Sequence, residues 1–163
     1  MKRIFICILL CFLVIIVSAC QGAETESIGS VPPSFSVGES GVADAKSVVL
    51  KSHITGTEIL LNDSAALEKI VNGAKLLNGS NPISSRGFYG GSYGLSFYDT
   101  VEPTEDAKSY LSFSLFCAND TEAYVTVNNM VFEEVEGHRY PAMYSVNMDE
   151  LKALETILAQ YIE

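Results

Sequence analysis

Leu67, Ile70, Val71, Ala74 and Leu77 recur at steps of three, one, three and three, which puts them on one face of an amphipathic helix. Asn62 or Asp63 stands where an N-cap belongs, and Asn78-Gly79 supplies a left-handed stop, so the spacing predicts a helix over about 64–77. A second apolar stripe, Leu151, Leu154, Ile157, Leu158, Tyr161 and Ile162, predicts a helix over about 148–162. Asn147 with Glu150 three residues on resembles a capping box at its start, with Asn in place of Ser or Thr.

Elsewhere the period is two. Residues 47–53 and 58–61 read as short strands around a Thr55-Gly56 turn. Tyr93, Leu95 and Phe97 alternate with Gly94, Ser96 and Tyr98, and residues 110–117 follow as an apolar strand beyond an acidic loop at 99–108. Asn119-Asp120 turns into a strand at 123–127. Asn128-Asn129 suits a two-residue hairpin turn into 130–135, and Glu136-Gly137 turns again into 139–146. The pattern predicts one α+β domain over 46–163, an antiparallel β-meander of about 4–6 strands packed against two helices. A segment of that length can bury a core without disulfides or metal.

Residues 21–45 carry neither period. They are rich in Gly, Ser, Glu and Ala around Pro32-Pro33, and read as a disordered tether. Before them, Lys2 and Arg3 precede an uninterrupted apolar run over 4–17, too short to span a ~30 Å hydrocarbon core but sized for a signal-peptide core. The run ends at Val17-Ser18-Ala19-Cys20. That leader resembles the lipobox of bacterial lipoproteins, with valine in place of the usual leucine. The resemblance, which covers residues 1–20 only, implies cleavage between Ala19 and Cys20 and a diacylglycerol on the Cys20 thiol. It further implies a chain anchored in the lipid bilayer through Cys20, at the extracytoplasmic face of the cell membrane. Two acyl chains are enough for durable anchoring.

Cleavage would remove Cys7 and Cys11 and leave Cys117 as the sole free thiol, so no intramolecular disulfide is expected. Loss of Lys2 and Arg3 makes the formal charge of −10 more negative by two. An acidic chain without clustered Lys or Arg argues against nucleic acid and against adsorption to anionic headgroups.

Gly90-Gly91-Ser92-Tyr93-Gly94 matches G-x-S-x-G, with Asp99, Asp106 or Asp120 and then His138 following in the chain order of an α/β-hydrolase triad. A nucleophile elbow needs strand–turn–helix, however, and a strand follows here. His53 and His138 are the only histidines, neither in a metal-ligand spacing, and Asp99, Glu102, Glu105 and Asp106 lack the periodicity of a calcium loop. Cys117 ends an apolar strand without a basic neighbour and reads as a buried, inert thiol. The candidate binding surface is Arg86, Phe88, Tyr89 and Tyr93, because Tyr and Arg dominate binding hot spots; the competing assignment packs these rings into the domain's own core. The sequence thus points to a non-enzymatic binding module for an envelope protein, peptide or glycan, with no metal and no cofactor beyond the Cys20 lipid. The alternative is a small hydrolase centred on Ser92 or the acidic loop.

Overall fold

A computed structural model describes residues 31–162. The leader, Ala19, Cys20 and the first part of the expected tether lie outside the described residues. Eight strands form one antiparallel sheet: β1 (Ser34–Ser36), β2 (Ser47–Ser52), β3 (Glu58–Leu61), β4 (Asn78–Ser84), β5 (Tyr93–Tyr98), β6 (Leu111–Cys117), β7 (Ala123–Val135) and β8 (His138–Val146). Their order is β1-β4-β8-β7-β6-β5-β2-β3. Helices α1 (Ser64–Ala74) and α2 (Met148–Leu158) complete an α+β fold. β5 to β8 are the expected meander, and β2 and β3 are the two expected short strands; β1 and β4, which the alternation did not reveal, bring the sheet to eight strands where about 4–6 were expected.

Alternation decides which face carries the core. Leu50, Leu95, Phe113, Val127 and Ala142 stand opposite one another across five strands, and all are buried. Ile70, Val71 and Ala74 of α1 and Leu151, Leu154 and Leu158 of α2 join the same cluster. Both helices therefore cover one face of the sheet, as their stripes require. They pack closely, since a Cβ on Gly73 would come within 2.9 Å of Ile157 Cδ1. The N-caps are as the sequence reads: Asp63 accepts from Ala66 N at 2.9 Å, and Asn147 accepts from Asp149 N at 2.8 Å. The other face offers small polar groups, with Ser96 and Ser112 hydroxyls 3.0 Å apart and Asn128 donating to Ser112.

Four boundaries differ from expectation. The tether does not run to residue 45: β1 pairs with β4, a 3-10 turn spans Val42–Asp44, and Phe35, Val37 and Val42 are buried. Three apolar residues at the right positions give this Gly- and Ser-rich segment a place in the core. Helix α1 ends at Ala74, three residues early, because Asn78-Gly79 opens β4 rather than capping the helix. Gly79 is required there, since a Cβ would overlap Tyr144 Cβ. Asn128-Asn129 is no turn but lies in β7, where the register shifts between Val127 and Val131. The strand then continues to Val135 and turns at Glu136 and Gly137, whose φ of 53° and 78° suit a two-residue hairpin. Finally, α2 stops at Leu158, although Ile162 beyond it is buried.

Candidate functional site

Eight residues, 85–92, carry the chain from β4 to β5 past the intervening β8, β7 and β6. They cross on the face away from the helices. Phe88 packs edge-on against Phe116 with centroids 5.6 Å apart, and tilted against Tyr124 at 5.9 Å. Both partners alternate with core residues of their strands, so their rings point off the open face. Arg86 places its guanidinium carbon 5.8 Å from the Tyr140 ring centroid, a cation–π contact. At Gly91, with φ 152°, a Cβ would press within 2.8 Å of the Leu115 carbonyl oxygen, so this close crossing needs glycine.

The segment is fixed where it ends. Ser92 N donates to Leu115 O at 3.0 Å, and His53 N donates to Ser92 O at 3.0 Å. The Ser92 hydroxyl donates to Glu155 Oε1, on α2. Two adjoining hollows open around this bond. One, of about 400 Å³, is walled by Ile54, Tyr89, Gly91, Phe116 and Cys117. The other, of about 440 Å³, is walled by Ile54, Tyr93, Lys152, Thr156 and Ala159. Ser92, Glu155 and Ile54 belong to both, so the two form one groove. On its rim Ile54 is 79% exposed and Tyr89 89% exposed.

The structure divides the expected surface. Tyr89 and Tyr93 line the groove, the second half-buried against the core. Arg86 and Phe88 are exposed but engaged with Tyr140, Phe116 and Tyr124 on the open face; Phe116 packs on Phe88 and also lines the hollow beside Tyr89. Ile54, Phe116, Lys152 and Glu155 are groove residues that local sequence patterns do not single out. Ile54 follows a strand as one apolar residue in a polar turn, and Glu155 falls on the polar side of a helix stripe.

Cys117 is exposed rather than buried. It pairs with the buried Ala123 at the end of β6, but there it lines the open hollow that Glu155 of α2 also walls, rather than the closed core. Partial burial raises its thiol pKa, the Glu155 carboxylate raises it further, and Lys152 opposes both. His53 has its pKa lowered, first by burial and then by the Lys51 charge.

The G-x-S-x-G segment lacks the elbow context, since Tyr93 begins β5 directly after Ser92. His138 starts β8 at the tip of the β7–β8 hairpin, opposite Val135, whereas Ser92 bonds at the Cys117 end of β6. The acidic residues Asp99, Glu102, Glu105 and Asp106 are exposed beyond the far end of β5. Among the described residues no three His, Cys, Asp or Glu side chains stand together as metal ligands, and no helix is long and apolar enough to cross a membrane. The chain matches no protein-family model, and no curated protein or solved structure is significantly similar to it.

Proposed function

We propose that the protein is a lipoprotein anchored through Cys20 at the extracytoplasmic face of the membrane, whose domain binds a partner of the cell envelope in the Ser92–Glu155 groove without transforming it. The observation that carries this reading is the exposure of Ile54 and Tyr89 on one rim, at 79% and 89%. Full burial of such side chains is worth about 1.5–3 kcal/mol each, so a ligand covering them gains what folding leaves unused. Aromatic anchors beside hydrogen-bonding groups are the usual make-up of a binding hot spot.

The test is capture of envelope peptides and glycans by the full-length protein, beside an Ile54→Ser, Tyr89→Ala double variant. Loss of capture at unchanged melting temperature supports the groove, and equal capture by both proteins refutes it. Cys20→Ser tests the anchor separately, since it should leave an unprocessed, unlipidated precursor.

Hydrolysis at Ser92 is the second reading, favoured by the bond from its hydroxyl to a carboxylate. It ranks below binding because a carboxylate is a weaker base than the imidazole that usually activates serine. Ester turnover lost in Ser92→Ala would reverse that ranking.

A further inference from the structure

Resting on the groove reading, we infer that the hollow between Tyr89 and Phe116 receives a primary alkylammonium group, presented on a lysine-like side chain of a peptide partner. Glu155 of α2 lines both hollows of the groove. Its carboxylate is half-buried and accepts one hydrogen bond from Ser92, while a carboxylate has about four acceptor positions. Among the described residues no cation lies within ion-pairing distance of it. Lys152, the one basic residue lining the two hollows, shares the adjoining hollow with Glu155 but forms no ion pair with it, and it does not line this one.

The remaining walls determine what surrounds the charge. Ile54, Tyr89 and Phe116 offer aliphatic and aromatic surface, suited to the methylenes of an alkyl stem and, at the ring faces, to a cation. A volume of about 400 Å³ accommodates one long side chain and its backbone. The whole chain carries a formal charge of −10, which attracts a cationic ligand and repels an acidic one. A neutral apolar side chain would fit the walls but leave the carboxylate covered and uncompensated, which is costly.

The experiment uses the full-length protein in detergent micelles and three N-acetylated, amidated pentapeptides: Ala-Ala-Lys-Ala-Ala, its Nε-acetyl-lysine counterpart and its glutamate counterpart. An uncharged oligosaccharide runs beside them. Binding is read by titration, and by protection of Cys117, which lines this hollow, from maleimide labelling located by peptide mapping. The lysine peptide should bind at least tenfold tighter than the acetylated one and slow Cys117 labelling. Glu155→Gln, which keeps an acceptor for Ser92, should erase that tenfold difference while lowering the melting temperature less than Ser92→Ala does, and Tyr89→Ala should weaken the lysine peptide. If acetylated and lysine peptides bind equally, both through Tyr89, the ammonium assignment falls while the groove reading stands. The ammonium assignment falls in the same way if only the oligosaccharide or the glutamate peptide binds in a Tyr89-dependent manner. If no probe binds or protects Cys117, both fall.

Discussion

The Ser92 hydroxyl donates to the Glu155 carboxylate across 63 positions of sequence, tying the segment that crosses the open sheet face to the helix that covers the other one. Because the bond sits in a groove and not in the core, it is partly screened by water. Ser92→Ala should therefore destabilise the domain by about 1 kcal/mol, within the range for a hydrogen bond to a charged group after screening. Glu155→Gln, which retains an acceptor, should cost less. Urea midpoints of the two variants check the order, and a larger loss in Glu155→Gln would contradict it.

Phe35 makes a second test, since it places the N-terminal segment inside the fold. It is 8% exposed, and its ring centroid lies 5.6 Å from that of Tyr144. Phe35→Ala should cost about 3–5 kcal/mol, as truncation of a buried aromatic does. A chain beginning at residue 46 loses Phe35, Val37 and Val42 together and should not fold cooperatively. Melting followed by circular dichroism distinguishes this from a tether, whose removal would leave the transition unmoved.

The helices and the central meander were legible because each rests on a repeated local signal: the steps of Ile70, Val71 and Ala74, or the alternation of Leu95 and Phe97 with Ser96. β1 was not, because Phe35 and Val37 are isolated apolar residues among Gly, Ser and Pro, and their value depends on β4 lying beside them. Asn128-Asn129 carries good turn chemistry that the long pairing of β7 with β8 overrides as a bulge. Of the groove, the Gly/Tyr-rich segment stood out by composition. Glu155 did not, because nothing near it in sequence records that Ser92 folds against it.

Gly79 probes how tightly the added strand β4 is seated. An Ala Cβ there meets Tyr144, which is fully buried and cannot swing away. Gly79→Ala should cost about 1–3 kcal/mol, the range for overpacking a filled core. Gly56, with φ 76° and no neighbour within 4 Å of a Cβ, serves as the contrasting site where loss comes only from backbone conformation.

Cys117 reports the electrostatics of the groove. Its raised pKa means less thiolate at a given pH, so alkylation at pH 7–8 should be slower than for a free cysteine peptide. Burial is the first cause, so part of the retardation should persist in every variant. Glu155→Gln removes the next cause and should speed the reaction, whereas Lys152→Gln, which removes an opposing positive charge, should slow it. A rate indifferent to both substitutions would place Glu155 too far from the thiol to matter.

Tyr110 and Tyr144 give the domain a defined response to alkali. Burial raises both pKa values above the ordinary phenol value; at Tyr110 the charges of Asp44 and Asp99 add to it. In the unfolded chain each phenol ionises near its ordinary pKa of about 10. Between that pH and the higher folded value the unfolded state has lost protons that the folded state keeps. Their contribution to stability is therefore complete below about pH 10 and is lost as pH rises through the folded pKa. The structure also says where the loss begins. Tyr144 Oη donates to Pro32 O at 3.1 Å and Tyr110 Oη to Gly41 O at 3.4 Å, both carbonyls of the N-terminal segment. A phenolate cannot donate, so ionisation should release residues 32–41, including the edge strand β1, before the rest of the sheet. Hydrogen exchange between pH 8 and 11, corrected for intrinsic rates, should lose protection first at Val37 N, which donates to Leu77 O. A Tyr110→Phe, Tyr144→Phe double variant should start less stable and show a flatter decline with pH. Parallel declines in the two proteins would mean that other groups govern the alkaline limit.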